Sequence, residues 1–155
     1  MTYTSRPVAP FKIDILSAGN PSSYTAGQKI PFTGTPSNTS ATVSNGQITV
    51  YEGSNWRIEY SAAFVGGAPS YMTQFEIQLY SVTDGGYIGN SAWATSPGQN
   101  NARKGRVVAT ALILSSEIST SKVIEAKIIS QTNMTGVGSL SIYGKPTLRV
   151  MELPA

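Results

Sequence analysis

Residues 56–64 read Trp56-Arg57-Ile58-Glu59-Tyr60-Ser61-Ala62-Ala63-Phe64. Trp56, Ile58, Tyr60, Ala62 and Phe64 fall on one parity; Arg57, Glu59 and Ser61 fall on the other. Successive side chains of a β-strand point to opposite faces, so this period of two marks a half-buried antiparallel strand. A helix would place its apolar residues three and four positions apart.

The same rhythm continues on both sides. Gln47 to Tyr51 is a strand, and Glu52-Gly53-Ser54-Asn55 is a tight turn. Gly66-Gly67-Ala68-Pro69 ends the Trp56 strand. Phe75, Ile77 and Leu79 then alternate with Glu76, Gln78 and Tyr80, and Asp84-Gly85-Gly86 is a strong turn. Residues 87–94 form a weaker strand carrying Trp93, and 95–105 a polar loop. Further strands are expected at 106–114, 122–131, 139–143 and 147–153. Upstream, 11–16 alternates, 17–23 turns at Gly19-Asn20-Pro21, and 29–33 is a brief strand that Pro31 confines to an edge. Residues 33–40 read as loop. About ten short strands with turns between them predict an antiparallel sandwich or barrel. Trp56, Tyr60, Phe64 and Phe75 are expected in its core.

The chain has 155 residues, which fits one domain with a sizeable core. Residues 1–10 read as an extended arm, because Pro7 and Pro10 disfavour helix, and Tyr3, Arg6 and Val8 give it groups to bind with. Residues 11–155 form a single sandwich domain. Charged residues are only 12% of the chain, about half the usual share. The net charge of +3 is too small and too scattered to indicate nucleic acid. The tight basic cluster is Arg103-Lys104-Arg106, either a solvated loop or an anionic contact on a partner. The N-terminus lacks the basic and apolar regions of a signal peptide, and no stretch approaches the ~18–20 apolar residues of a membrane span.

Val107-Val108-Ala109-Thr110-Ala111-Leu112-Ile113-Leu114 departs from the alternating pattern. Both of its faces are apolar, while a strand in a two-layer sandwich has only one face on the core. Val108, Leu112 and Leu114, or the opposite set, therefore need a second cover. That cover is another copy of the chain, for which a ring is the natural closed form, or else a loop or the arm of the same chain.

The chain has no His and no Cys, which removes the commonest general base near neutral pH, His-based triads, most zinc sites and thiolate chemistry. The acids Glu59, Glu76 and Glu125 lie on polar strand faces with Arg57 and Lys127 as ordinary cross-strand partners. No catalytic, metal or cofactor residue is assigned. Asp84-Gly85-Gly86 lacks the alternating ligands of a calcium loop, and there is no phosphate loop. Asn38-Thr39-Ser40 and Asn133-Met134-Thr135 match the glycosylation acceptor by chance. Trp93, Tyr80, Tyr87 and Tyr143 either belong to the core or a subunit seam, or line a carbohydrate groove.

Residues 47–64, with their strand, Gly turn and aromatic-x-Ile-x-aromatic run, resemble the opening of the C1q/TNF-like jelly roll. The Phe75–Tyr80 and Val107–Leu114 strands, and the close from Ser139-Leu140-Ser141-Ile142-Tyr143 to Leu148-Arg149-Val150-Met151-Glu152-Leu153, fall where later strands of that fold fall. The resemblance implies an antiparallel jelly-roll sandwich that forms a homotrimer, with Val108, Leu112, Leu114 and Tyr143 at the subunit interface. It is similar to the versions of tailed bacteriophages, in particular capsid decoration (cement) proteins. That implies a virion structural protein on the capsid exterior, made in the host cytoplasm. It would bind the major capsid protein through Tyr3, Arg6, Val8, Arg103 and Lys104. The alternative it implies is a receptor- or carbohydrate-binding tip domain of a phage tail fibre. Neither role involves an enzyme, a membrane or nucleic acid.

Overall fold

The structure is a computed structural model and describes residues 11–19, 26–65, 73–96, 104–132 and 141–155; side chains at 64–65, 73–75, 94–96, 104–105, 131–132 and 141–145 are outside the description. The described strands are β1 (Lys12–Ala18), β2 (Lys29–Ile30), β3 (Phe32–Thr33), β4 (Thr42–Ser44), β5 (Gln47–Tyr51), β6 (Ser54–Val65), β7 (Thr73–Ser81), β8 (Gly86–Ser96), β9 (Lys104–Ile113), β10 (Ser121–Thr132) and β11 (Ser141–Pro154). A front sheet of five strands runs β3-β1-β11-β6-β9. A back sheet of six runs β4-β5-β10-β7-β8, with β2 also on β10. The first and last strands lie side by side, and the chain changes sheet repeatedly between β5 and β11. This is an antiparallel jelly roll.

Several elements differ from the sequence reading. Residues 139–143 and 147–153 were expected as two strands; β11 is one strand whose register against β6 shifts between Tyr143 and Thr147. Pro31 splits the expected strand at 29–33 in two. Ile30 pairs with Ala126 in the back sheet, while Phe32 pairs with Ala18 in the front. β4 was not anticipated. It pairs with β5 through Asn45-Gly46, whose φ values of 53° and 72° suit a two-residue hairpin turn. A single 3-10 turn, Ser115–Glu117, also went unforeseen.

The core forms between the inner faces of the sheets. β6 contributes Trp56, Ile58 and Tyr60, β9 contributes Val107, Ala109, Ala111 and Ile113, and β11 contributes Leu148 and Val150. Ile48, Val50, Ile77, Leu79, Ile124, Ala126 and Ile128 face them from the back sheet. Trp56 is fully buried and donates its indole N–H to the Tyr51 carbonyl at 2.9 Å, so its one polar group is satisfied. Lys122 is buried at the margin of this core, where it meets Asp84 of the 82–85 turn at 2.8 Å.

β1 inverts the face its apolar pattern suggests. Asp14, Leu16 and Ala18 point inward, while Ile13 is half-buried and Ile15 points out. The cause is the Asp14 carboxylate, only 4% exposed. It accepts the backbone N–H groups of Ser37, Asn38 and Thr39 at 2.7–3.1 Å and the Thr39 hydroxyl at 2.7 Å. The next N–H of the loop, at Ser40, goes to Glu152 of β11 at 2.8 Å. Four successive loop donors are thus taken by two front-sheet carboxylates. Asn38, the first glycosylation match, has its amide engaged with Ile13 O and Asp14; Asn133 lies outside the described residues.

Burial alone would raise the Asp14 pKa; the hydrogen bonds from Ser37, Thr39 and Asn38 outweigh it and hold the carboxyl far below its ordinary 3.8. Glu152 shifts the same way, for the same kind of reason. The unfolded chain then binds more protons than the folded one through the carboxylate range. Stability is complete above about pH 5 and falls as pH drops below the ordinary carboxyl value. Asp14→Asn is expected to lose about 1–3 kcal/mol at neutral pH and to show a shallower acid limb. Urea unfolding at a series of pH values checks both.

Candidate subunit interface

The two-faced strand near residue 110 is β9, the outer strand of the front sheet, paired with β6 alone. Val107, Ala109, Ala111 and Ile113 fill the core, and Val108 and Leu112 are turned out. Leu112 is 61% exposed, and Val108 and Leu114 are also exposed. Of the two sets left open by the sequence, the structure turns outward the one with Val108, Leu112 and Leu114. No part of the described chain seals them.

Ladder register arranges the outer face in rows. One runs Ile13, Met151, Arg57, Leu112 across β1, β11, β6 and β9. The next runs Ile15, Arg149, Glu59, Thr110. The middle of the face is charged: Glu59 meets both Arg57 and Arg149 at 3.5 Å. Apolar side chains occupy the two flanks, Phe11 and Ile15 on the β1 side and Val108 and Leu112 on the β9 side. Ile15 is 65% exposed. The sequence reading did not pick out Phe11 and Ile15, although their shared parity was visible.

The outward face of the back sheet also carries aromatic side chains. Trp93 (52% exposed) and Tyr87 lie on β8. Tyr80 and Tyr87 meet edge to face with ring centroids 5.2 Å apart, and Lys127 Nζ sits 3.5 Å from the Tyr80 centroid. Lys127 also pairs with Glu125 at 3.1 Å, and Gln47 donates to Glu125 at 2.9 Å. Ser130 donates to Glu76 at 3.0 Å. These carboxylates are held by structural partners. Among the described residues, no group of three or more His, Cys, Asp or Glu is placed to hold a metal ion.

Other expected contact residues are only partly placed. Tyr143 lies in β11 opposite Ala63, with its side chain outside the description. Lys104 opens β9 opposite Val65, again by backbone only. Arg106 is exposed and donates to the Ser61 hydroxyl at 3.1 and 3.2 Å. Tyr3, Arg6, Val8 and Arg103 lie outside the described residues.

Adjacent positions on β9 separate folding from association. Leu112→Lys is expected to unfold in urea within about 0.5 kcal/mol of the parent when both are dilute enough to be monomeric. Ala111→Lys, one residue away, buries an unpaired charge and is expected to cost more than about 4 kcal/mol or prevent folding. Equal losses in the two variants would mean that Leu112 is covered within the single chain.

No protein-family model matches this chain, and no curated protein matches its sequence. Its fold matches 84 solved chains, so the architecture is a common one. One is the crystal structure of murine APRIL, superposed with a TM-score of 0.57 at 9% identity over 93% of this chain and 100% of that one. At that identity the likeness establishes the fold alone, a TNF/C1q-like β-sandwich.

Proposed function

We propose that this chain is a non-enzymatic structural protein that works as a homotrimer, and that its role is to decorate an assembled bacteriophage capsid. The observation carrying the association is the pair of exposed apolar flanks on the front sheet, Phe11 and Ile15 on one side and Val108 and Leu112 on the other. The flanks differ in composition and lie on opposite sides of the Glu59 ion cluster. A contact that joins one flank to the other is head-to-tail, and such contacts close into rings when the rotation between copies closes. Trimers are usual for the C1q/TNF-like fold that the chain resembles. The Cys-free composition, and the arm that the sequence leads us to expect at residues 1–10, would fit a decoration protein. Such a protein acts by mass action: it binds the assembled shell and not its separated subunits, and three linked contacts raise avidity.

A second reading, the tip domain of a tail fibre, is favoured by exposed Trp93 and Tyr87, which offer flat apolar surfaces to a sugar ring. The localisation proposed is the exterior of the virion in either reading.

Sedimentation of the parent is expected to give three times the 16.4 kDa chain mass, and Leu112→Lys a monomer. A parent that sediments at the mass of one chain ends the trimer reading. Expanded, undecorated capsids should bind the protein to saturation; failure to bind, with clear hits on a glycan array, would select the fibre-tip reading instead.

A further inference from the structure

β9 pairs with β6 on one side, and its other side is a potential open edge. The outward backbone groups of such a strand can recruit a strand from another chain. Here two of them meet a side chain. Asn90, on β8 of the back sheet, accepts the Thr110 N–H at 2.9 Å and the Thr110 hydroxyl at 2.7 Å through Oδ1. Its Nδ2 donates to the Val108 carbonyl at 3.4 Å. In a parallel ladder, one residue of the partner strand accepts from the residue after its neighbour and donates to the residue before it. The Asn90 carboxamide makes that pair of bonds around Ala109. One side chain stands in for one rung of a strand that is not there.

Gly89 makes the approach possible. Its φ is +71°, and a Cβ built on it would lie 2.8 Å from Ala111 Cα and overlap the Thr110 carbonyl oxygen. Glycine alone fits. Gly89, Asn90 and Ser91 face a single β7 residue, Gln78, because the β7–β8 register shifts between Ile77 and Leu79. Gln78 Nε2 donates to the Gly89 carbonyl at 2.9 Å and holds the bulge in place. Beyond β9, the Leu114 N–H is taken by Glu117 of the 3-10 turn at 2.7 Å.

We propose that the Gly89–Asn90 bulge is a built-in cap on the β9 edge, so that copies of this chain meet through the side chains of Val108 and Leu112 and do not add strand to strand. The mode of meeting rests on the association proposed above; the sealing of the edge does not. The need for a cap is local. Val108 contributes both an apolar side chain and an edge carbonyl, and an unsealed edge beside exposed apolar residues favours open-ended strand addition.

Asn90→Ala tests the cap. The variant is expected to keep its β-sheet circular dichroism while its Thr110 amide exchanges at least about tenfold faster, as loss of a net hydrogen bond implies. It should also pass from one defined species to a concentration-dependent series of larger ones that bind thioflavin T. A variant that sediments like the parent with unchanged Thr110 exchange overturns the proposal. Should Asn90→Ala fail to fold, the parent decides the question. Its Thr110 amide must be protected by more than about a hundredfold, and an unprotected amide overturns the cap. A monomeric parent whose Asn90→Ala variant forms long aggregates would end the trimer reading and support the cap by itself.

Discussion

A sheet in a two-layer sandwich has one covered face, and the front sheet of this protein carries apolar side chains on both. The inner set of β9, Val107, Ala109, Ala111 and Ile113, packs beside Trp56, Ile58 and Tyr60 of neighbouring β6. Val108 and Leu112, of the opposite parity, are left on the outside. Full burial of a Leu or Ile side chain is worth about 1.5–3 kcal/mol. Covering Ile15, Leu112 and their exposed neighbours therefore yields several kcal/mol at each contact. Association costs a comparable amount, about 4–15 kcal/mol in lost rigid-body freedom. A single contact of this size is close to balance. A closed ring gains because its last contact forms between partners already held together.

The exposure of Ile15 follows from a polar decision elsewhere. The loop at residues 37–40 presents consecutive N–H groups that need acceptors, and Asp14 supplies them only by turning inward. Inverting β1 puts Ile15 outside, since adjacent residues occupy opposite faces. Each unmet buried donor would cost about 1–3 kcal/mol, and three are met by one carboxylate. Exposing one Ile is the smaller loss. The loop clamp and the apolar flank on the β1 side are thus two results of one orientation.

The class of fold could be read from residues 47–64 and the repeats of their rhythm. The parity of β9 could not, because both of its faces are apolar. β1 was legible as a strand but not in its facing, since nothing local announces that a loop some twenty residues on will claim Asp14. The β4–β5 hairpin had a readable signal in Asn45-Gly46, a pair suited to positive φ at both positions. Asn90 carried no such signal. A Gly-Asn pair within a weak polar strand looks like a turn until the opposite sheet is in place. Val108, Leu112 and Leu114, one of the two sets left open by the sequence, are the outward ones, while Phe11 and Ile15, on the opposite flank, drew no notice in the sequence.

Several carboxylates of the described residues are occupied in holding the fold together. Asp14 and Glu152 hold a loop, Asp84 holds Lys122, Glu117 closes the end of β9, and Glu125 and Glu59 sit between fixed partners. A carboxylate already saturated by donors has no lone pair ready for a proton in transit. In Asp14, Asp84 and Glu152 the pKa shift is downward, toward permanent ionisation. Those acids are spent on positioning backbone. The Asp14 clamp in turn fixes which apolar residues of β1 remain uncovered, and exposed apolar patches of this kind are the physical basis of the association proposed above.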